Sequence, residues 1–250
     1  QELLHEIPPP LHQAAREPAQ AFPLVLALLI DENPEVRLRQ QDCINADPEL
    51  ARVFAQDGVR LYRQLAALSP LQRLPLFQIT LGTLARFSSA QREKLLAVAR
   101  QLVDADGRVS IYEYALLRML QHHLDQLRQP GQRHVRNQAD LSAPLDVVLS
   151  FFAYAGKSAR IGPEEIFAAG AAAAPSGSTP RFLRAEECHF RRLDEALAQL
   201  EHAAPSAKQA VLRAAEAAVS SDGLLKPEEA ELLRAIAFSL DCPTPPLLGK

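Results

Sequence analysis

One stretch constrains the fold more than any other: Leu102-Val-Asp-Ala-Asp-Gly-Arg-Val-Ser-Ile-Tyr-Glu113. It reads as the end of an amphipathic helix, a tight acidic turn and the start of a second helix. The same grammar returns 116 positions later as Ala218-Val-Ser-Ser-Asp-Gly-Leu-Leu-Lys-Pro-Glu-Glu229. At that offset Leu95, Leu96, Ala99 and Val103 align with Val211, Leu212, Ala215 and Val219, and Asp106, Gly107 and Glu113 with Asp222, Gly223 and Glu229. Beyond the turn, Leu116, Leu117, Arg118, Leu120 and Leu124 match Leu232, Leu233, Arg234, Ile236 and Leu240. This is an internal duplication. Two copies so far apart do not build a solenoid, and the expected architecture packs one helical hairpin against its twin.

Leu and Ala make up roughly a third of the chain, while Val, Ile and Thr together stay under about a tenth. Straight-chain and small side chains lose little freedom in a helix, whereas strands draw on β-branched residues. The fold class read from the sequence is all-α, a helical bundle. With 27 basic and 30 acidic residues the net charge is −3, which favours neither nucleic acid nor an anionic membrane surface as partner. Three cysteines without CxxC spacing argue against a disulfide framework and for a reducing, cytoplasmic compartment. The longest apolar run, Ala21 to Ile30, is too short to cross a bilayer and contains Pro23. A soluble segment without membrane insertion is expected, and Gln1 in place of Met points to processing or to an artificial boundary.

Along the chain, prolines at 8–10, 18 and 34 break residues 1–45 into short helices. Asp47-Pro48 opens a helix with an N-cap and Pro at N1, running to about Leu68, and a second helix follows from Pro70 to about Phe87. These form an N-terminal antiparallel helical region, 1–87. Residues 88–250 are expected to form a second domain containing the related hairpins 88–129 and 204–242. Capping boxes at Ser88…Gln91 and Ser110…Glu113 open the two helices of the first hairpin. Residues 130–140 read as a loop, 143–155 and 163–174 as helices, Pro175 to Pro180 as a flexible connection, and Arg181 to about His202 as a longer helix. The tail from Cys242 has too many prolines to be helical.

The acidic turn has two readings. In an EF-hand-like register Asp104, Asp106 and Glu113 take the third, fifth and twelfth places and Gly107 the sharp turn, a set suited to a divalent cation such as calcium. Leu102 stands where the first carboxylate belongs, and the second copy keeps only Asp222 and Glu229. The same residues also serve without an ion. Gly107 and Gly223 end a helix in the left-handed conformation, Asp106 closes the turn, Glu113 completes a capping box and Glu229 favours the helix dipole. No HExxH, phosphate loop or GxSxG is present, and the seven histidines read as ordinary surface or interface side chains.

With these residues in hand, Ala105–Glu113 and Ser221–Glu229, each leading into a Leu-rich helix, resemble the two signature turns of the TerB (tellurite-resistance) helical family over about residues 88–245. The stretches Arg73-Leu-Pro-Leu76, Leu81 to Leu84, Leu102 to Leu116 and Leu240 to Leu247 resemble a longer region. That region is the cytosolic C-terminal part of bacterial membrane zinc metallopeptidases of the HtpX or prenyl-protease type. The resemblance implies a non-catalytic regulatory or docking domain on the cytosolic face of the membrane. Its partner would be another protein or its own protease domain, with zinc confined to a protease part outside this sequence. It also implies Asp104, Asp106, Glu113, Asp222 and Glu229 as divalent-cation ligands. The alternative it implies is a free-standing, cation-responsive stress protein of the tellurite-resistance kind.

Overall fold

A computed structural model describes residues 7–128 and 141–245. Among them every regular element is helical and there is no strand. The chain divides into two compact units, Gln1–Pro130 and Gly131–Lys250.

In the N-terminal unit the helices are α1 (Pro9–Arg16), α2 (Pro18–Leu29), α3 (Pro34–Asn45), α4 (Pro48–Val53), α5 (Val59–Leu65), α6 (Pro70–Leu84), α7 (Ser89–Val103) and α8 (Ile111–Arg128). The first four begin on a proline, whose fixed φ and missing N–H suit the first helical position. Asn33 and Asp47 cap α3 and α4 through their side-chain oxygens. The helix expected to run unbroken from Pro48 instead passes through a π turn, Phe54–Gly58. A Cβ on Gly58 would lie 2.1 Å from the Phe54 ring, so the aromatic side chain occupies the space that the bare glycine leaves. Helix α2 is buried almost all round, from Ala21 to Leu29 with only Phe22 partly exposed, as a central helix must be. It packs on α1, α5, α6 and α7.

The second unit contains α9 (Ser142–Gly156), α10 (Pro163–Ala172), α11 (Phe190–Glu201), α12 (Pro205–Val219) and α13 (Pro227–Ser239). Helix α9 is central here and packs on all four others. The duplication seen in the sequence therefore extends beyond the hairpins. The pairs α2–α6, α2–α7, α3–α7, α6–α8 and α7–α8 recur as α9–α11, α9–α12, α10–α12, α11–α13 and α12–α13. The border between units falls at 130/131, not at the 87/88 expected from the sequence. The hairpin 88–129 belongs with the N-terminal helices because α7, which buries Leu95, Val98, Ala99 and Leu102, packs on α2 and α3. The hairpin 204–242 packs on α9, α10 and α11.

The two units solve the same seam differently. Between α3 and α7 lies Gln40, fully buried, whose amide donates to Leu29 O (2.9 Å) and Leu102 O (3.0 Å) and accepts from Asp31 N (2.8 Å). The three bonds satisfy an otherwise costly buried amide, and the one to Leu102 ties α3 to α7 across 62 residues. Between α10 and α12 the space is closed by removing a side chain. A Cβ on Gly170 would meet Leu149 Cδ2 at 2.7 Å, Ala214 O at 3.1 Å and Ala218 Cβ at 3.1 Å. Ala218 is the repeat partner of Leu102.

The helix expected from Arg181 begins only at Phe190. Residues 179–183 run extended along α9 instead, because that helix satisfies their backbone in place of helical bonds. Thr179 N donates to Ser142 Oγ (3.0 Å), Arg181 N to Asp146 Oδ1 (2.6 Å) and Leu183 N to Ser150 Oγ (3.0 Å), and Tyr154 Oη donates to Leu183 O (2.9 Å). Ser142, Asp146 and Ser150, four residues apart on the helix, thus meet alternate residues of the strap, and Tyr154 returns to the last of them. The connection before it, expected to be flexible, is a turn tied by Ser178 N to Pro175 O, with Gly177 at φ 89°. The loop expected at 130–140 and the end of the tail lie outside the described residues, and Cys242–Pro245 is not helical.

Replacing Gln40 by Ala leaves two buried carbonyls and one N–H unpaired and opens a cavity. The expected loss is about 2–4 kcal/mol in urea unfolding. Gly170→Ala is expected to cost about 1–3 kcal/mol through overpacking. Unchanged midpoints in both variants overturn this account of the seam.

Candidate functional site

The two bends are the same object built twice. After α7 a 3₁₀ turn, Asp104–Asp106, ends on Gly107 at φ 73°, and after α12 the chain turns on Gly223 at φ 72°. Only glycine takes this left-handed conformation without strain. No atom lies within 4 Å of a Cβ placed on either glycine, so the demand is conformational and not steric. In each bend an aspartate closes the turn: Asp106 Oδ1 accepts from Arg108 N at 2.9 Å, and Asp222 Oδ1 from Leu224 N at 2.9 Å. The following helix is then capped in the same way, by Ser110 N donating to Glu113 Oε2 (2.9 Å) and Lys226 N donating to Glu229 Oε2 (3.0 Å). Glu113 N also donates to Ser110 Oγ, which completes the box expected from the sequence.

Each bend also reaches the end of the central helix of its unit. Tyr112 Oη donates to Leu28 O at 2.9 Å, in the last turn of α2. Lys226 Nζ donates to Gly156 O at 2.7 Å, the last residue of α9, and to Lys157 O. The donors come from different positions of the repeat but satisfy the same kind of orphan carbonyl.

The five candidate metal ligands are accordingly placed as turn and capping groups. Asp104 is exposed on the turn, Asp106 and Asp222 close their bends, Glu113 is half-buried, and Glu229 is 2% exposed. Among the described residues no three His, Cys, Asp or Glu side chains gather closely enough to hold a metal ion. The two glutamates nevertheless differ from ordinary ones. Burial raises the Glu113 carboxyl above its usual range against the opposing bonds from Ser110, and the charges of Asp106 and Asp31 push it further. Burial pushes Glu229 up to about 7, opposed by the Lys226 N–H and assisted by Asp222. His122 departs from the surface reading: it is buried, its Nε2 3.0 Å from Gln126 Nε2, and the neighbouring His123 also buries its Nε2.

The sequence did not single out the cleft that opens beside the first bend. A cavity of about 400 Å³ is lined by Ala27, Leu28, Ile30, Leu65 and Ala66, with Tyr62, Glu32, Arg63 and Arg73 at its polar side. A second cavity of about 300 Å³ shares Leu28, Ile30, Glu32 and Arg73 and reaches Asp31, Ser110, Tyr112 and Glu113. Arg73 stands between them and pairs with the exposed Glu32 through Nη2 at 2.6 Å, which holds the Glu32 carboxyl below its usual range. The buried Nε of Arg73 has no partner.

The wall between α2 and α3 is fixed from behind. Gln40 holds Leu29 and Asp31, and Arg37 Nη1 donates to Glu32 O (3.3 Å) and Tyr62 Oη (2.9 Å) while its guanidinium lies over the Tyr62 ring. Arg73 heads the Arg73–Leu76 stretch that carries part of the peptidase resemblance, which was the one available signal. Its partner Glu32 and the cavity-lining Tyr62 and Tyr112 come from separate helices and loops with no shared motif.

The pH dependence of the second bend follows from Glu229. Its folded pKa lies above the ordinary 4.5, so the folded state keeps a proton that the unfolded state has released. Stability therefore falls as pH rises from about 4.5 to about 7 and stays reduced above that. Glu229→Gln keeps an acceptor for Lys226 N and removes the charge. Its melting temperature is expected to exceed the parent's at pH 8 by roughly 2–4 °C, about 1 kcal/mol, and to match it near pH 4.5. Equal pH profiles for both proteins would contradict the assignment. A search against protein-family models, curated proteins and solved structures finds no match to this chain, so the functional reading rests on this geometry and on the motif resemblance.

Proposed function

We propose that this chain is a non-catalytic docking module that presents the N-terminal cleft to a protein partner. We further propose that it forms the cytosolic regulatory part of a membrane-bound zinc metallopeptidase. The cleft carries the first half of this reading. It combines an apolar floor, an arginine with an unmet donor, and a wall held rigid by buried hydrogen bonds. Such pre-organisation lowers the ordering cost of binding. The attachment to a peptidase is supported by the resemblance of the bends and of Arg73–Leu76 and Leu240–Leu247. No helix among the described residues is long and apolar enough to cross a membrane.

The coding sequence upstream of Gln1 tests the attachment. Transmembrane segments and HExxH are expected there, and an initiator codon in place of Gln1 overturns it. The chain alone is expected to show no zinc-dependent peptide cleavage. Titration with calcium, followed by backbone amide shifts, separates docking from a cation-responsive role. The docking reading expects no saturable shifts at Asp104, Asp106 and Glu113, and saturable shifts there would favour the stress-protein alternative.

A further inference from the structure

The chemistry of the cleft narrows what it can hold. An arginine presents Nε and one terminal nitrogen as a parallel fork that matches the two oxygens of a carboxylate. In Arg73 only half of that fork is used. Glu32 Oε1 takes Nη2, while Nε is buried without a partner. Glu32 is itself largely exposed, with 74% of its side chain open to solvent, so it holds the position loosely. A carboxylate that displaces Glu32 from Nη2 and brings its second oxygen to Nε satisfies the group that Glu32 leaves unmet. Arg63, a second basic residue, lines the same cavity.

The floor beyond Arg73 is aliphatic, formed by Ala27, Leu28, Ile30, Leu65 and Ala66, and its roughly 400 Å³ suits one side chain together with its carboxylate. The adjoining cavity has the opposite character, with Asp31 and Glu113 in its wall. A ligand running through both therefore carries a carboxylate and an apolar group at one end and a cation a short distance back.

We propose that this cleft receives the C-terminal carboxylate of a partner polypeptide whose last residue is aliphatic and which carries a basic residue just upstream, with Glu32 as the placeholder that the terminus displaces. The proposal deepens the docking reading and depends on it only in taking the partner to be a protein. An initiator codon in place of Gln1 would remove the peptidase attachment without touching this cleft.

The test uses the whole chain, ¹⁵N-labelled, and three probes: acetyl-Ser-Lys-Ala-Leu with a free C-terminus, the same peptide as its C-terminal amide, and hexanoate. The free-acid peptide is expected to shift the amides of Ile30, Glu32, Tyr62 and Ala66 in a saturable way. The amide should bind about tenfold more weakly and hexanoate more weakly still. Arg73→Gln should abolish the shifts, and Glu32→Gln should tighten binding severalfold by removing the competing carboxylate. A gain in Glu32→Gln cannot come from misfolding. Equal binding of acid and amide, hexanoate binding as tightly as the peptide, shifts confined to other residues, no shifts at all, or unchanged affinity in Glu32→Gln each overturn the proposal.

Discussion

The last carbonyls of a helix need donors, and in this protein that need organises each unit. At the C-terminal end of a central helix the last carbonyls have no further helical N–H to bond. In both units the donor arrives from the bend between the last two helices, as Tyr112 Oη on Leu28 O and as Lys226 Nζ on Gly156 O. For the donor to arrive there, the bend must turn sharply and in a fixed shape. The left-handed glycine, the aspartate two residues before the N–H it accepts, and the glutamate of the following cap provide that shape. The acidic turn that looks like an ion site in the sequence is thus engaged in holding a corner.

From that common corner the two copies have diverged in how much polarity they bury. The N-terminal copy places a fully buried amide, Gln40, where the other brings backbones together over Gly170. The bend glutamates diverge in the other direction. Glu113 is half-exposed, whereas Glu229 lies so close to Gly156 that a methyl group there would meet Oε1 at 2.3 Å. The polar investment of the N-terminal unit is concentrated behind the segment 29–32, and that segment is the wall of the cleft. Gln40 ties that loop at both ends of its turn, through the buried Leu29 carbonyl and the Asp31 N–H, and so fixes its shape.

Much of the fold was readable in the chain because its helices announce their starts. Prolines at 18, 34, 48, 70, 163, 205 and 227 each sit at the first helical position, and Asp47, Ser88 and Ser110 cap as their spacing implies. Gly107 and Gly223 told where the duplicated corner lies. What the repeat could not tell was with whom each hairpin packs, since Leu95 and Leu102 are apolar whatever covers them, and so the unit border was misplaced. The π turn at Phe54–Gly58 depends on one ring filling the space beside one glycine, a matter of shape that periodicity does not record. Of the candidate site, the carboxylates at 106, 113, 222 and 229 were found, and the turn closed by Asp106 and the box completed by Glu113 were legible from their spacing. The cleft was missed because Arg73 and Glu32 lie 41 residues apart with no motif joining them.

The strap at 179–183 has a consequence of its own for a fold without sheets. Four residues of helix advance about 6 Å, and two residues of extended chain about 6.6 Å. The two rulers nearly agree, which lets Ser142, Asp146 and Ser150 meet Thr179, Arg181 and Leu183 in step. They do not agree fully, and the drift of roughly 0.6 Å per rung limits the run to a few rungs. On its other side the strap offers Pro180, which has no N–H to give. An extended segment is thereby used as a brace without leaving a long free edge on which a second extended chain could be templated.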